Sequence, residues 1–169
     1  MPEARPTGLS HITFVVADLD RMEAILVGVL GAHKVYDSGR ATFSLSPERF
    51  YLVGDAKLWI AVMLGEPLPR RSYNHVAFRI ADADFDTYRE RIVALGLDQH
   101  QGRPRIAGEG RSLYFHDHDN HLFELHTGTL GERLARYAEG PAATPGSKMR
   151  APIHDSPLFP PRNGRDLVA

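Results

Sequence analysis

The chain has no cysteine among its 169 residues. Disulfides, thiolate metal sites and cysteine nucleophiles are therefore excluded, and the lack fits the cytoplasm. Charge of one sign is also missing. A formal net charge of −1 offers no long-range attraction for nucleic acid or an anionic membrane surface. No apolar run approaches the ~20 residues that span a bilayer. The opening MPEARPTGLSH lacks the apolar core of a signal peptide. What is present is ordinary for a globular protein: 43% hydrophobic residues, enough for one domain or for two small modules on a shared core.

One segment is written twice. Residues 10–20 read SHITFVVADLD and residues 74–84 read NHVAFRIADAD. His11 aligns with His75, Phe14 with Phe78, Ala17 with Ala81, Asp18 with Asp82 and Asp20 with Asp84. A strand-then-helix start with a histidine at the same strand position implies two copies of one module. It also implies one site to which each copy gives an imidazole.

Strand alternation separates Ser10, Ile12, Phe14 and Val16 from Leu9, His11, Thr13 and Val15. The first face is the more apolar and should meet a helix; the second carries the polar groups. Asp18 or Asp20 can cap a helix with Leu19, Met22, Ile25, Leu26, Val29 and Leu30 on its apolar side, ended by Gly31. Three strands are expected next, at 41–45, 49–53 and 58–63. GEPLPRRS (65–72) reads as a linker. The second module repeats the order: a strand over 73–80 with Tyr73, His75, Ala77 and Arg79 on one face, a helix with Phe85, Tyr88, Ile92 and Leu95 on one stripe, and a hairpin of 112–116 and 121–126. The hairpin tip DHDN reads as solvated, with Asp117 and Asp119 as turn formers and His116, His118 and His121 as bystanders. His33, His100 and His154 read as surface or loop residues. Thr129 and Glu132 form a capping box that opens a last helix with Leu130, Leu134 and Tyr137 on one side. The modules are expected at 8–66 and 73–138. Residues 139–169, which carry half of the twelve prolines, form a tail without periodicity.

Glu124, in HLFELH, is the third member of the histidine pair. Its flanks Phe123 and Leu125 predict burial, and a buried carboxylate is costly unless paired or metal-bound. Two imidazoles and a carboxylate make a three-ligand set that leaves coordination positions open for water or substrate. Without thiolate, the set suits manganese, iron(II), zinc, cobalt or nickel. His126, two residues further on, is either a bystander or a support for the ligand.

The repeat, the β-α-β-β-β order and the His/His/Glu set resemble the vicinal oxygen chelate superfamily, which includes glyoxalase I, the bleomycin resistance proteins and extradiol dioxygenases. The strings GLSHITFVVADL, TFSLSPERFYLV, LWIAVM, YNHVAFRI and GEGRSLYFHDHDNHLFELHTGTLGERLARY look like the fosfomycin resistance proteins, and most like their water-using FosX-type group. The likeness covers about residues 8–137. It implies an α+β fold of paired βαβββ modules, a cupped mixed sheet around a metal, and a domain-swapped homodimer in which His11 comes from one copy and His75 with Glu124 from the other. It also implies opening of the epoxide of fosfomycin, a small phosphonate, by water with Mn2+.

By the same resemblance, Glu48 in SPERF matches the general base, a group that benefits from burial. Ser112, Tyr114 and Arg133 match phosphonate-binding residues, Thr13 a threonine near the epoxide oxygen, and Trp59 and Tyr73 aromatic walls. The chain departs from the thiol-transferase relatives, which carry a lysine before the GEGRS segment. Here Pro104 and Arg105 stand in that neighbourhood, Arg103 or Arg105 could supply a loop cation, and Gly108 replaces a serine. The alternatives are a thiol transferase acting on fosfomycin, a non-catalytic drug-binding protein, and a metalloenzyme for another phosphonate or epoxide.

Overall fold

The computed structural model describes residues 4–100, 110–138 and 140. Loop residues Arg103, Pro104, Arg105 and Gly108, His154 and the tail beyond Gly140 lie outside the described residues. The first run comprises β1 (His11–Val16), α1 (Leu19–Gly28), β2 (His33–Asp37), β3 (Glu48–Val53) and β4 (Leu58–Leu64). The second comprises β5 (His75–Arg79), α2 (Phe85–Ala94, entered through a single 3-10 turn), β6 (Asp98–His100), β7 (Ser112–His116) and β8 (Leu122–His126), and α3 (Leu130–Ala138) follows. Each run folds into a four-stranded mixed sheet, in the orders β1-β4-β3-β2 and β5-β8-β7-β6. The first strand of each run pairs parallel with the last, and the other pairs are antiparallel.

Alternation in β1 and β5 decides what is inside. Phe14 and Val16 are buried, whereas His11, Thr13 and Val15 are exposed. Asp18 caps α1 by accepting from the backbone N–H groups of Asp20 and Arg21 at 2.9 and 3.1 Å. Gly31 follows the helix at φ +64°, where a side chain would be strained. Met22, Ile25 and Leu26 of α1 and Phe85 and Ile92 of α2 enter one core with Phe14, Tyr51, Ile60, Phe115, Phe123 and Leu125. The two sheets share that core: Phe14 and Phe123 meet at 5.2 Å between ring centroids, and Phe123 stacks on Phe115 at 5.3 Å.

Three expectations are corrected. Residues 41–45 form no strand, and Phe43 and Leu45 are 77% and 89% exposed. The pairing edge of β3 is taken instead by β2, whose Lys34 and Asp37 serve ion pairs rather than apolar contact. Glu23 of α1 accepts from Lys34 at 3.0 Å, from Arg49 at 2.8 Å and from Tyr51 at 2.9 Å, while Asp37 pairs with Arg49 at 2.9 Å. His33 and His100 accordingly lie on strands, the latter on the unforeseen β6. Leu95 is only the cap residue of α2 and stays 38% exposed, off the buried stripe.

The third correction concerns DHDN. It does form a turn, but Asp117, Asp119 and His116 are buried and only His118 is exposed. Asp117 accepts from the backbone N–H groups of Asp119 and His121 at 2.9 and 2.7 Å and lies 2.7 Å from His121 Nδ1. Asp119 reaches across to the first run and accepts from the Ala17 N–H at 2.9 Å. Asn120 donates to the Leu68 carbonyl of the linker at 2.7 Å. The turn thus rivets both runs and the linker, and backbone donors take the place of solvent. Burial holds the His116 imidazole below its ordinary value.

Replacing Asp119 by Ala strands the Ala17 N–H in a partly buried position. A loss of about 1–3 kcal/mol is expected in urea unfolding. Asp119→Asn keeps an accepting oxygen and should retain most of the stability.

Candidate metal centre

Register places the site residues on two sheet faces. In the first sheet His11 lies opposite Trp59, Thr13 opposite Ala61, and Val15 opposite Met63. Met63 lies in turn opposite Glu48. Residues opposite one another point to the same side. His11, Thr13, Trp59 and Glu48 therefore share the face turned away from α1. The His11 ring packs on Trp59 at 4.3 Å between centroids, and its Nδ1 lies 3.1 Å from Ser10 Oγ. Glu48 is 8% exposed, and its backbone N–H donates to Ser38 Oγ at 2.9 Å.

In the second sheet His75 lies opposite Leu122, and Ala77 opposite Glu124. Glu124 lies opposite Tyr114, and His126 opposite Ser112. His75, Glu124, Tyr114, Ser112 and His126 therefore share one face. Ser112 Oγ donates to Glu124 Oε1 at 2.6 Å, and Nε2 of His75 lies 2.9 Å from Glu124 Oε2. Tyr73, just before β5, places its hydroxyl 3.5 Å from that of Tyr114 and its ring against His75. Arg133 is half-buried in the first turn of α3, which the Thr129–Glu132 capping box opens: Glu132 accepts from the Thr129 N–H at 2.7 Å, and Thr129 Oγ1 from the Glu132 N–H at 3.2 Å. The apolar stripe of α3 is outward, with Leu130, Leu134 and Tyr137 at 73%, 56% and 55% exposure.

The His75–Glu124 contact has a direct chemical meaning. Nδ1 of His75 lies 2.7 Å from the Tyr73 carbonyl, which can only accept. That nitrogen therefore carries the proton, and the Nε2 of a neutral ring presents a bare lone pair to a carboxylate oxygen. Two lone pairs 2.9 Å apart call for a positive charge between or upon them: a proton or a bound cation. Imidazole nitrogen and carboxylate oxygen, without sulfur, suit a divalent ion of the manganese-to-zinc series. The residues present fit a metal.

Burial works to raise the Glu124 carboxyl, but hydrogen bonds from Ser112 and Tyr114 and the nearby His75 and His126 outweigh it and hold the group below its ordinary 4.5. Burial, with the Tyr73 hydroxyl and the Glu124 carboxylate beside it, pushes the Tyr114 phenol up.

The chain alone does not assemble the expected triad. Among the described residues no three histidine, aspartate or glutamate side chains converge on a common point. The reason is geometric. The sheets meet through Phe14 and Phe123, which alternate with the ligand positions, so the ligand faces point away from that contact. A cavity of about 420 Å³ lies beside His75, walled by Phe14, Leu68, Asn74 and His121, but it takes only His75 from the expected set. Sequence reasoning left the role of His126 open and did not foresee the Asp117–His121 pair. Only the β7–β8 register exposes the former, and only the buried turn the latter.

Two runs of β-α-β-β-β carry matched histidines, and the family model described as Glyoxalase/Bleomycin resistance protein/Dioxygenase superfamily matches residues 8–125. The chain belongs to this superfamily. Within it, the chain is 62% identical over 133 residues to fosfomycin resistance protein FosX of Mesorhizobium japonicum, covering 79% of this chain and 94% of the relative. A crystal structure of a mutant FosX from Listeria monocytogenes, complexed with Mn(II) and 1S,2S-dihydroxypropylphosphonic acid, matches with a TM-score of 0.71 and 50% identity, covering 79% of this chain and 99% of that one. The metallothiol transferase FosB of Shouchella clausii is 36% identical over 144 residues, covering 77% of this chain and 86% of the relative. No described helix is long and apolar enough to cross a membrane.

Because the folded Glu124 titrates below its unfolded value, its ionised form contributes stability above about pH 4.5. That contribution disappears as pH falls through the lower folded value. Metal-free urea titrations across this range should show Glu124→Gln less stable near neutrality, with the gap to the parent closing in acid.

Proposed function

We propose that the chain is a manganese-dependent hydrolase that opens the epoxide of fosfomycin with water and so confers resistance to the antibiotic. One observation carries the reading. The ligand beside Mn(II) in the FosX structure at 50% identity is a vicinal diol of propylphosphonic acid. Such a diol is what remains when water opens the corresponding epoxide. The higher identity to FosX than to FosB favours water over thiol as nucleophile.

In this reading His11 of one copy and His75 with Glu124 of another hold the metal in a homodimer. The 2.9 Å approach of His75 Nε2 to Glu124 Oε2, and the exposure of His11 on an open sheet face, support that division. When bound, manganese supplies Lewis acidity for the epoxide oxygen as its C–O bond breaks. Glu48 takes a proton from water as the water oxygen bonds to the carbon next to phosphorus, and solvent returns a proton to the alkoxide. The near-complete burial of Glu48 and the anchoring of its backbone on Ser38 support a fixed base. Arg133 donates to the phosphonate; Tyr114 and Ser112, whose hydroxyls serve Glu124, border it; Thr13 stands near the epoxide oxygen, and Trp59 and Tyr73 wall the site. A charged guanidinium suits a doubly ionised phosphonate. The lack of cysteine in the chain fits work in the cytoplasm.

Purified protein given Mn(II) and fosfomycin, without thiol, should yield the dihydroxypropylphosphonate, read by phosphorus NMR. A product that appears only with added glutathione or bacillithiol identifies a transferase instead. Glu48→Gln should lower kcat by roughly 10²–10⁴-fold, the range of general-base catalysis, with Mn(II) affinity unchanged.

A further inference from the structure

The hydrogen bonds behind Glu124 have only one consistent direction. An ionised carboxylate can only accept, so the 2.6 Å contact means that Ser112 Oγ gives its proton to Glu124 Oε1. A hydroxyl has a single proton. The second contact at Ser112 Oγ, 2.8 Å from His126 Nδ1, must therefore be one that it accepts. His126 Nδ1 then carries hydrogen, and the Arg111 carbonyl, an acceptor only, lies 3.2 Å from that same nitrogen. The chain of donation runs from His126 to Ser112 to Glu124, and it fixes the tautomer of the imidazole.

The backbone holds this chain of donors in place. Ser112 and His126 are direct partners across the antiparallel ladder. One step before them, the Arg111 N–H donates to Thr127 Oγ1 at 2.9 Å, and the Thr127 N–H donates to the Arg111 carbonyl at 3.0 Å. Gly110, at φ +72°, presses against Gly128 so closely that a Cβ would lie 2.5 Å from the Gly128 nitrogen. No other residue fits there. The consequence falls on the carboxylate. Oε1 is occupied by Ser112, and Oε2 is the oxygen turned to His75.

We propose that His126 is a positioning residue for the metal centre, orienting the Glu124 carboxylate through Ser112. The proposal rests on the reading of Glu124 as a metal ligand. Partners of this kind behind a ligand typically govern metal affinity by 10- to 100-fold.

The test titrates Mn(II) into the full-length protein and follows free Mn(II) by EPR. His126→Phe and Ser112→Ala should each weaken Mn(II) binding by roughly 10- to 100-fold. His126→Asn, whose amide places an N–H close to that of Nδ1, and Ser112→Thr, which keeps the hydroxyl, should both return to within about threefold of the parent. The double variant His126→Phe/Ser112→Ala should bind no more weakly than the poorer single variant, because both break one chain. Equal losses in His126→Asn and His126→Phe would reduce the residue to packing and overturn the proposal, as would additive losses in the double variant. Glu124→Gln separates the two levels. If it abolishes Mn(II) binding while His126→Phe leaves affinity unchanged, the positioning role fails and the metal reading stands. If Glu124→Gln binds Mn(II) as the parent does, both fail.

Discussion

The contact between Phe14 and Phe123, with ring centroids 5.2 Å apart, orders the rest of the molecule. Each ring sits on a strand whose neighbours in sequence point the opposite way. Once these two residues face inward, the odd-numbered positions of β1 and β5 and the even-numbered positions of β7 and β8 must face outward. Histidines, hydroxyls and carboxylates then line two open sheet surfaces, while α1 and α2 close the apolar core from the other side. The site is set by the same alternation that builds the core, and a one-residue slip in either sheet would bury its polar set.

Charge is handled differently inside and outside that core. On the helix side, Glu23, Arg49, Lys34, Asp37 and Tyr51 form a tied network that holds α1 against β2 and β3. At the hairpin turn, Asp117 and Asp119 are compensated by backbone N–H groups instead of cations. Glu124 has the Ser112 hydroxyl at one oxygen and the His75 imidazole at the other. The first two arrangements tie elements of the fold together, whereas the third sets an imidazole nitrogen 2.9 Å from a carboxylate oxygen on a sheet face, the donor chemistry that a divalent ion takes.

Much of this was legible in the sequence, and the exceptions have physical causes. The doubled segment announced β1 and β5, and alternation gave their buried faces because Phe14 and Val16 differ so plainly from His11 and Thr13. Asp18, Gly31 and the Thr129–Glu132 box acted as their side-chain chemistry requires. β2 was hidden because HKVYD is an edge strand whose charges answer α1, while ATFSL alternates like a strand but finds no partner. The aspartates of DHDN look solvated because a sequence does not show which backbone donors will surround them. His75 and Glu124 are brought together by the β5–β8 pairing, which the doubled segment does not encode. His11 is not, because which faces of two modules meet is a tertiary fact. The link from His126 through Ser112 needs a register that no motif encodes.

The outward placement of His11, apart from His75 and Glu124, carries a thermodynamic corollary. If a cation draws its protein donors from two molecules, capture of the ion and association of the polypeptides are linked equilibria and share one free energy. Scarce metal would then favour separated chains, abundant metal would draw them together, and dilution would loosen both at once. The amount of protein in the cell would itself set how tightly its ion is held.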